Sequence, residues 1–204
     1  MPTITRICEQ EKDKTRCSLY LDGAFYCGLT LESVMRAGLK VGMHVEPSAL
    51  DCIQEESEKE TALEKAYRHL SHSMKTEKDM RAFLKKKGYV DSVIEFVMEK
   101  LETHGLIDDS EYAARYTSCA SKTKGKKLIA MELRMKGVGD EEIGRALEPL
   151  ADESASARAV YEKYMRGKDD TKENRYKAMR YLIGKGFDYE TAKEVISFDE
   201  DGDS

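Results

Sequence analysis

The 204-residue chain has no tryptophan and only three prolines, which argues against tryptophan-led sugar platforms and long irregular segments. No apolar run approaches the roughly eighteen residues that a membrane-spanning helix needs. The opening stretch MPTITRICEQEKDK lacks the apolar core of a secretory signal. The five cysteines (Cys8, Cys17, Cys27, Cys52, Cys119) are odd in number and show no C-x-x-C spacing. A disulfide framework and a zinc ribbon are therefore disfavoured, and a reducing compartment is expected. Mean hydropathy is −0.63 and 36% of residues are charged, yet 40% are hydrophobic, so wholesale disorder is excluded. These features predict a cytoplasmic protein.

The net charge of −5 is unevenly spread. Residues 1–58 carry −4, residues 59–107 carry +2, and residues 108–152 carry −1. The rest becomes +2 once Asp199, Glu200, Asp201 and Asp203 are set aside. Acidity sits at the ends, and the middle holds local basic clusters able to meet an anionic partner.

Residues 1–50 alternate with the period of strands. Residues 16–21 and 24–29 flank Asp22-Gly23, a pair suited to the positive φ angles of a tight hairpin. Leu19, Leu21, Phe25 and Cys27 are expected on one face, Tyr20 and Tyr26 on the other. Residues 4–9 predict a third strand, 41–45 a short fourth, and 31–37 a short helix ending before Gly38. Such a module is too small to stand firmly alone.

From about Glu58 the period becomes helical. The hexapeptides Leu84-Lys-Lys-Lys87-Gly88-Tyr89, Leu133-Arg-Met-Lys136-Gly137-Val138 and Leu182-Ile-Gly-Lys185-Gly186-Phe187 recur at a spacing of 49 residues. Leu63, Tyr112 and Tyr161 keep the same register, as do Met80, Ile129 and Ala178, and Ile94, Ile143 and Ala192. Each copy reads as three helices. Lys-Gly closes the second, with the cation at the negative end of the dipole and Gly in the left-handed conformation. Asp91, Asp140 and Asp188 are expected to cap the third helix, and Asp108-Asp109-Ser110 the first helix of copy two. Thr76 is expected to cap the second helix of copy one, with Asp79 reaching back. The expected organisation is mainly α: a β-rich module (1–57), then three-helix repeats at 58–107, 108–152 and 153–198 stacked as a curved elongated solenoid. An acidic disordered tail (199–204) follows.

No enzyme site is visible. His69-x-x-His72 lacks a third metal ligand, so surface histidines are the simpler reading. Asp108-Asp109 is better explained as a helix cap than as a catalytic carboxylate pair. Lys124-Gly-Lys-Lys127 lacks the upstream Gly and final Ser/Thr of a phosphate loop, and 199–203 stops short of a calcium loop. No cofactor and no metal are expected. The tyrosines 112, 116, 161 and 164 fall at helical spacing and read as core; stacking on bases would need them exposed among lysines.

The lysines carry more. Lys122, Lys124, Lys126 and Lys127 crowd the connection between the first two helices of copy two. Lys75 and Lys78 hold the equivalent places in copy one, and Lys172, Arg175 and Lys177 in copy three. Solvated charges would account for any one of them, but recurrence in all copies predicts a basic stripe that meets DNA phosphates or an acidic protein filament. Replacing the four copy-two lysines by Ser is expected to leave the melting temperature nearly unchanged. Lys85, Lys86, Lys87, Arg134, Lys136 and Lys185 close the second helices, where the dipole alone justifies a cation.

At residues 58–198 the chain resembles the RecX family of bacterial regulators of the recombinase RecA. The resemblance rests on the Lys-Gly helix ends, Gly105-Leu106-Ile107-Asp108-Asp109 with Tyr112-Ala113, and Glu132-Leu133 with Lys136-Gly137. The β-rich extension is similar to that of longer members. The chain departs from the family where arginines often follow the first helix: His72 and Cys119-Ala120 stand there. The resemblance implies a non-enzymatic, monomeric cytoplasmic regulator in DNA repair, homologous recombination and the SOS response. It implies binding to the RecA–DNA filament and restraint of ATP hydrolysis and strand exchange. The alternative is a protein that binds single-stranded or duplex DNA directly and competes with the recombinase; a third is a helical-repeat adaptor for another protein.

Overall fold

Asp22 and Gly23 take φ angles of 47° and 87°, and the hairpin they turn is the centre of the N-terminal module. The computed structural model describes residues 1–11, 13–150 and 152–196; the acidic tail expected at 199–204 lies outside them. Strands β1 (Ile4–Glu9), β2 (Arg16–Leu21) and β3 (Ala24–Thr30) form an antiparallel sheet in the order β1-β2-β3. Helix α1 (Leu31–Arg36) follows, capped by the Thr30 hydroxyl, which accepts from Ser33 N.

Two expectations fail here. The strand expected at 41–45 does not form: Gly42 turns at φ 91°, Val41 is exposed, and only an isolated Thr3–His44 bridge remains. Phe25 does not join the core face. The pairing slips between Leu19/Cys27 and Tyr20/Phe25, so Tyr26 is the extra residue of a bulge. That slip moves Phe25 to the face of Tyr20, where the rings meet edge-on at 5.8 Å. Cys17, Leu19, Leu21, Cys27 and Leu29 remain buried. Burial pushes the Cys27 thiol up to about 11, which marks it as core rather than redox chemistry.

Helix α2 (Pro47–Leu70) begins at Pro47 rather than Glu58, with proline in the first turn where its missing N–H costs nothing. Its first half supplies what the small sheet lacks. Leu50 and Ile53 join the sheet core, Tyr26 Oη donates to Asp51 at 2.6 Å, and the Thr30 amide donates to buried Ser57 Oγ at 3.0 Å. The bond to Asp51 holds the Tyr26 phenol up to about 12. Its second half buries Ala62 and Ala66 beside α3 (Glu77–Lys86) and α4 (Asp91–Thr103).

Copy two comprises α5 (Asp109–Ala120), α6 (Lys126–Met135) and α7 (Asp140–Leu147), with a 3-10 turn at Glu148–Leu150. Copy three comprises α8 (Ser154–Met165), α9 (Lys172–Gly184) and α10 (Tyr189–Ile196). The repeated hexapeptide has one structural reason. Gly88, Gly137 and Gly186 take φ of 87°, 87° and 90°. The amides of Tyr89, Val138 and Phe187 then donate back to the carbonyls of Leu84, Leu133 and Leu182 at 3.3, 3.1 and 3.2 Å. This is a Schellman ending, with its apolar contact between the same two positions. Leu84, Leu133 and Leu182 are fully buried, as are Met80, Ile129 and Ala178.

Of the expected caps, Asp188 accepts from Thr191 N at 2.8 Å, and Asp108 accepts from Ser110 N and Glu111 N. Asp91 and Asp140 are instead the first residues of their helices, after Val90 and Gly139, where they face the positive end of the dipole; Asp140 also accepts from Arg134 Nε at 2.7 Å. Thr76 accepts from Asp79 N at 3.2 Å, but the Asp79 carboxylate turns to Lys136 at 2.8 Å rather than back to the cap. The chain divides into two compact units, Met1–Met74 with Met80–Leu106, and Lys75–Asp79 with Ile107–Ser204.

Candidate partner-binding surface

All nine cationic residues of the expected stripe lie in the second unit, because the start of α3 belongs to it. Lys75 and Lys78 stand at one joint and Lys122, Lys124, Lys126 and Lys127 at or just before a second built alike, while Lys172, Arg175 and Lys177 open α9, whose far end makes the second joint. At one, the first turn of α3 meets the C-terminal end of α6: Thr76 Oγ1 donates to the Lys136 carbonyl at 2.8 Å and Lys78 Nζ to that of Met135 at 2.9 Å. At the other, the start of α6 meets the end of α9: Gly125 N donates to the Lys185 carbonyl at 2.9 Å and Lys127 N to that of Gly186 at 3.3 Å. Thr76 and Gly125, and Lys136 and Lys185, are each one repeat apart. Orphan donors of one helix thus satisfy orphan carbonyls of the next.

Each joint is closed by a carboxylate from the following copy. Asp109 accepts from Glu77 N at 2.9 Å, and Glu153 accepts from Lys126 N at 2.6 Å. Burial raises the pKa of both, and the backbone hydrogen bond opposes that rise. Sequence reasoning gave Asp109 a capping role on its own helix and gave Glu153 none. The two stand 44 positions apart rather than 49, so the register that exposed everything else hides this pair.

The stripe residues are not equivalent. Lys124 is half-buried and pairs with Glu132 at 2.6 Å while also donating to Tyr116 Oη at 3.2 Å. The bond to Glu132 raises its pKa. Burial acts against Glu132 ionising, yet the bonds from Lys124 and Tyr116 hold its carboxyl below the usual range. Lys124 is therefore a structural cation, and the quadruple substitution would not be silent for stability. Arg175 pairs with Asp170 at 2.7 Å and Lys177 with Glu173 at 2.7 Å. Lys78 spends its ammonium on a carbonyl, and Lys75 has a partner of its own. Lys122, Lys127 and Lys172 are exposed, and among the described residues they have no ion-pair partner; Lys126 is half-buried. Of the two histidines read as surface residues, His72 is exposed and His69 is half-buried, lying flat on Phe83 with 4.0 Å between centroids.

Three-helix copies in tandem, each with the same second-helix ending, define a helical-repeat protein. Four family profiles match in order along the chain. They are Regulatory protein RecX N-terminal domain over residues 2–46, and RecX first, second and third three-helix domains over residues 62–101, 108–147 and 151–196. A curated relative in Bacillus licheniformis, Regulatory protein RecX, is 31% identical across 96% of this chain and 77% of its own. One in Clostridium beijerinckii with the same name is 30% identical across 96% and 95%. A crystal structure of regulatory protein RecX matches with a TM-score of 0.68 at 26% identity, covering 97% of this chain and 99% of that one. That of RecX from Lactobacillus salivarius gives 0.62 at 25% identity, covering 69% and 95%. The chain belongs to the RecX family of regulatory proteins.

Proposed function

We propose that this protein is a non-enzymatic regulator of the RecA recombinase that binds the RecA–DNA filament and restrains its ATP hydrolysis and strand exchange. The setting is DNA repair and recombination in the cytoplasm, including the SOS response. The observation that carries the reading is full-length membership of a family whose curated members are named regulatory proteins. The recurrence of cations at the start of the second helix of every copy supports it. Each repeat adds a modest contact, and tethering raises the effective concentration of the next. Lys122, Lys127 and Lys172 meet the acidic surface or phosphates of the filament, aided by Lys126; Lys75, Lys78, Lys124, Arg175 and Lys177 hold the connections in shape around them. Occupancy of the filament then obstructs entry of duplex DNA and favours loss of subunits from its ends.

The test is ATP hydrolysis by preassembled filament titrated with this protein. A dose-dependent fall, weakened by Lys122→Ser with Lys127→Ser and Lys172→Ser, supports the reading. Hydrolysis unaltered at saturating protein removes it and leaves the adaptor alternative.

A further inference from the structure

Two clefts, the second of them beside the joint of α6 and α9, are built from the same parts. One, in the first unit, has a volume of about 280 Å³ and is lined by Lys65, Arg68, His69, His72, Phe83 and Lys87. The other, in the second unit, has a volume of about 420 Å³ and is lined by Thr123, Val160, Lys163, Tyr164, Tyr181 and Lys185. In each, a ring on the second helix of a copy lies against a ring near the end of its first helix. His69 and Phe83 stack at 4.0 Å and 6°; Tyr164 and Tyr181 stack at 4.5 Å and 26°. In each, the lysine four residues on stands over the second-helix ring, Lys87 over Phe83 at 5.6 Å and Lys185 over Tyr181 at 5.3 Å. Phe83 and Tyr181, like Lys87 and Lys185, are two repeat lengths apart. No carboxylate lines either cleft.

Copy two is the contrast. Glu132 takes the ring position and is occupied by Tyr116 Oη and Lys124. The device is thus present in copies one and three and replaced in the middle by an internal ion pair.

Tyr164 also packs against the core of copy three, but the rest of the device faces solvent. Tyr181 is 38% exposed, and Lys163, Lys87 and His72 are exposed as well. A further cation, Lys168, sits 3.2 Å from the Tyr164 centroid. An aromatic face with an open edge, ringed by ammonium groups and free of carboxylates, suits a planar base followed by a phosphate. Cleft volumes of this size take one base rather than a duplex.

We propose that the two clefts are nucleotide-stacking sites for single-stranded nucleic acid, each taking one base on its ring pair and the adjoining phosphate on its lysines. The inference goes beyond the filament reading and stands without it. The sites read no base identity, since stacking and phosphate contact are common to all four bases.

The experiment is fluorescence anisotropy of the full chain with a short oligothymidylate, an abasic deoxyribose-phosphate chain of equal length, and a duplex. Wild-type protein binds the oligothymidylate most tightly. Tyr181→Ala and His69→Ala each weaken it by about tenfold, and Tyr181→Phe, which keeps the ring, leaves it unchanged. Should Tyr181→Ala lower the melting temperature, Tyr181→Leu keeps the bulk without the π face and shows the same loss. The proposal is overturned if the abasic chain or the duplex binds as tightly as the oligothymidylate, or if the Ala or Leu variants bind like wild type. Recombinase inhibition is scored on the same proteins, so failure of the clefts and failure of the filament reading give separate results.

Discussion

Two glycine-to-alanine substitutions in copy two should have opposite signs, and the contrast isolates the joint between copies two and three. Gly125 caps α6 with φ −83° and ψ 165°, angles open to alanine, so the backbone itself does not object. A Cβ there would overlap the backbone of Gly186 and the Phe187 nitrogen. Relief requires the joint to open, which strains the Gly125–Lys185 and Lys127–Gly186 hydrogen bonds. Overpacking of this kind costs about 1–3 kcal/mol, and each of the two weakened bonds adds about 0.5–1.5 kcal/mol; together the expected loss is about 2–6 kcal/mol. Gly144 lies exposed in α7 with nothing within 4 Å of its Cβ position. Gly144→Ala should stabilise by about 0.5–1 kcal/mol through helix propensity alone. Urea unfolding followed by circular dichroism measures both. A Gly125→Ala variant within about 0.5 kcal/mol of wild type, or one less harmful than Gly144→Ala, would refute the close approach on which the joint depends.

Leu133→Ala should cost about 2–5 kcal/mol in the same assay, because Leu133 is fully buried in the copy-two core; a negligible loss would undo the repeat register. Glu153 is buried and its pKa is raised, so the folded chain retains a proton that the unfolded chain has already released. Its contribution therefore falls as pH rises from the ordinary carboxylate range through the raised value, and is level above it. Glu153→Gln should flatten that decline in a pH series of unfolding curves, and an unchanged slope would contradict the burial. Lys124→Ser should lower stability by about 1 kcal/mol, since it removes the cation that Glu132 and Tyr116 share and leaves them only each other. Lys122→Ser with Lys127→Ser should leave the Tm within experimental error, and equal effects of the two variants would erase the distinction between structural and free cations.

Local chemistry in this chain is legible from sequence where a short segment decides the outcome alone. The Asp22-Gly23 turn, the three Lys-Gly helix ends and the Asp108 cap depend on neighbours in the chain, and each forms as its residues dictate. The early start of α2 is also written locally, in Pro47, but the run of glutamates that follows has too little apolar character to show a helical period. The displaced Phe25 was not legible, because a bulge depends on pairing between strands rather than on either strand. The same limit hid the joint carboxylates Asp109 and Glu153, which act on helices of the preceding copy. It hid the ring pairs too: Tyr164 and Tyr181 meet only when α8 and α9 pack. The stripe was found as a composition of lysines, yet which of them are free follows only from where Glu132, Asp170 and Glu173 come to rest.

Filament regulation and competition for DNA differ in what the protein prefers to bind. Parallel titrations against preassembled RecA–DNA filament, free recombinase and naked single strand decide it, using wild type and the Tyr181→Ala, His69→Ala double variant. A filament regulator binds the filament most tightly, lowers filament ATP hydrolysis in step with that binding, and retains both when the double variant has lost the naked strand. Equal affinity for naked strand and filament, with inhibition vanishing in the double variant, would contradict filament regulation and make competition for DNA the whole of the activity.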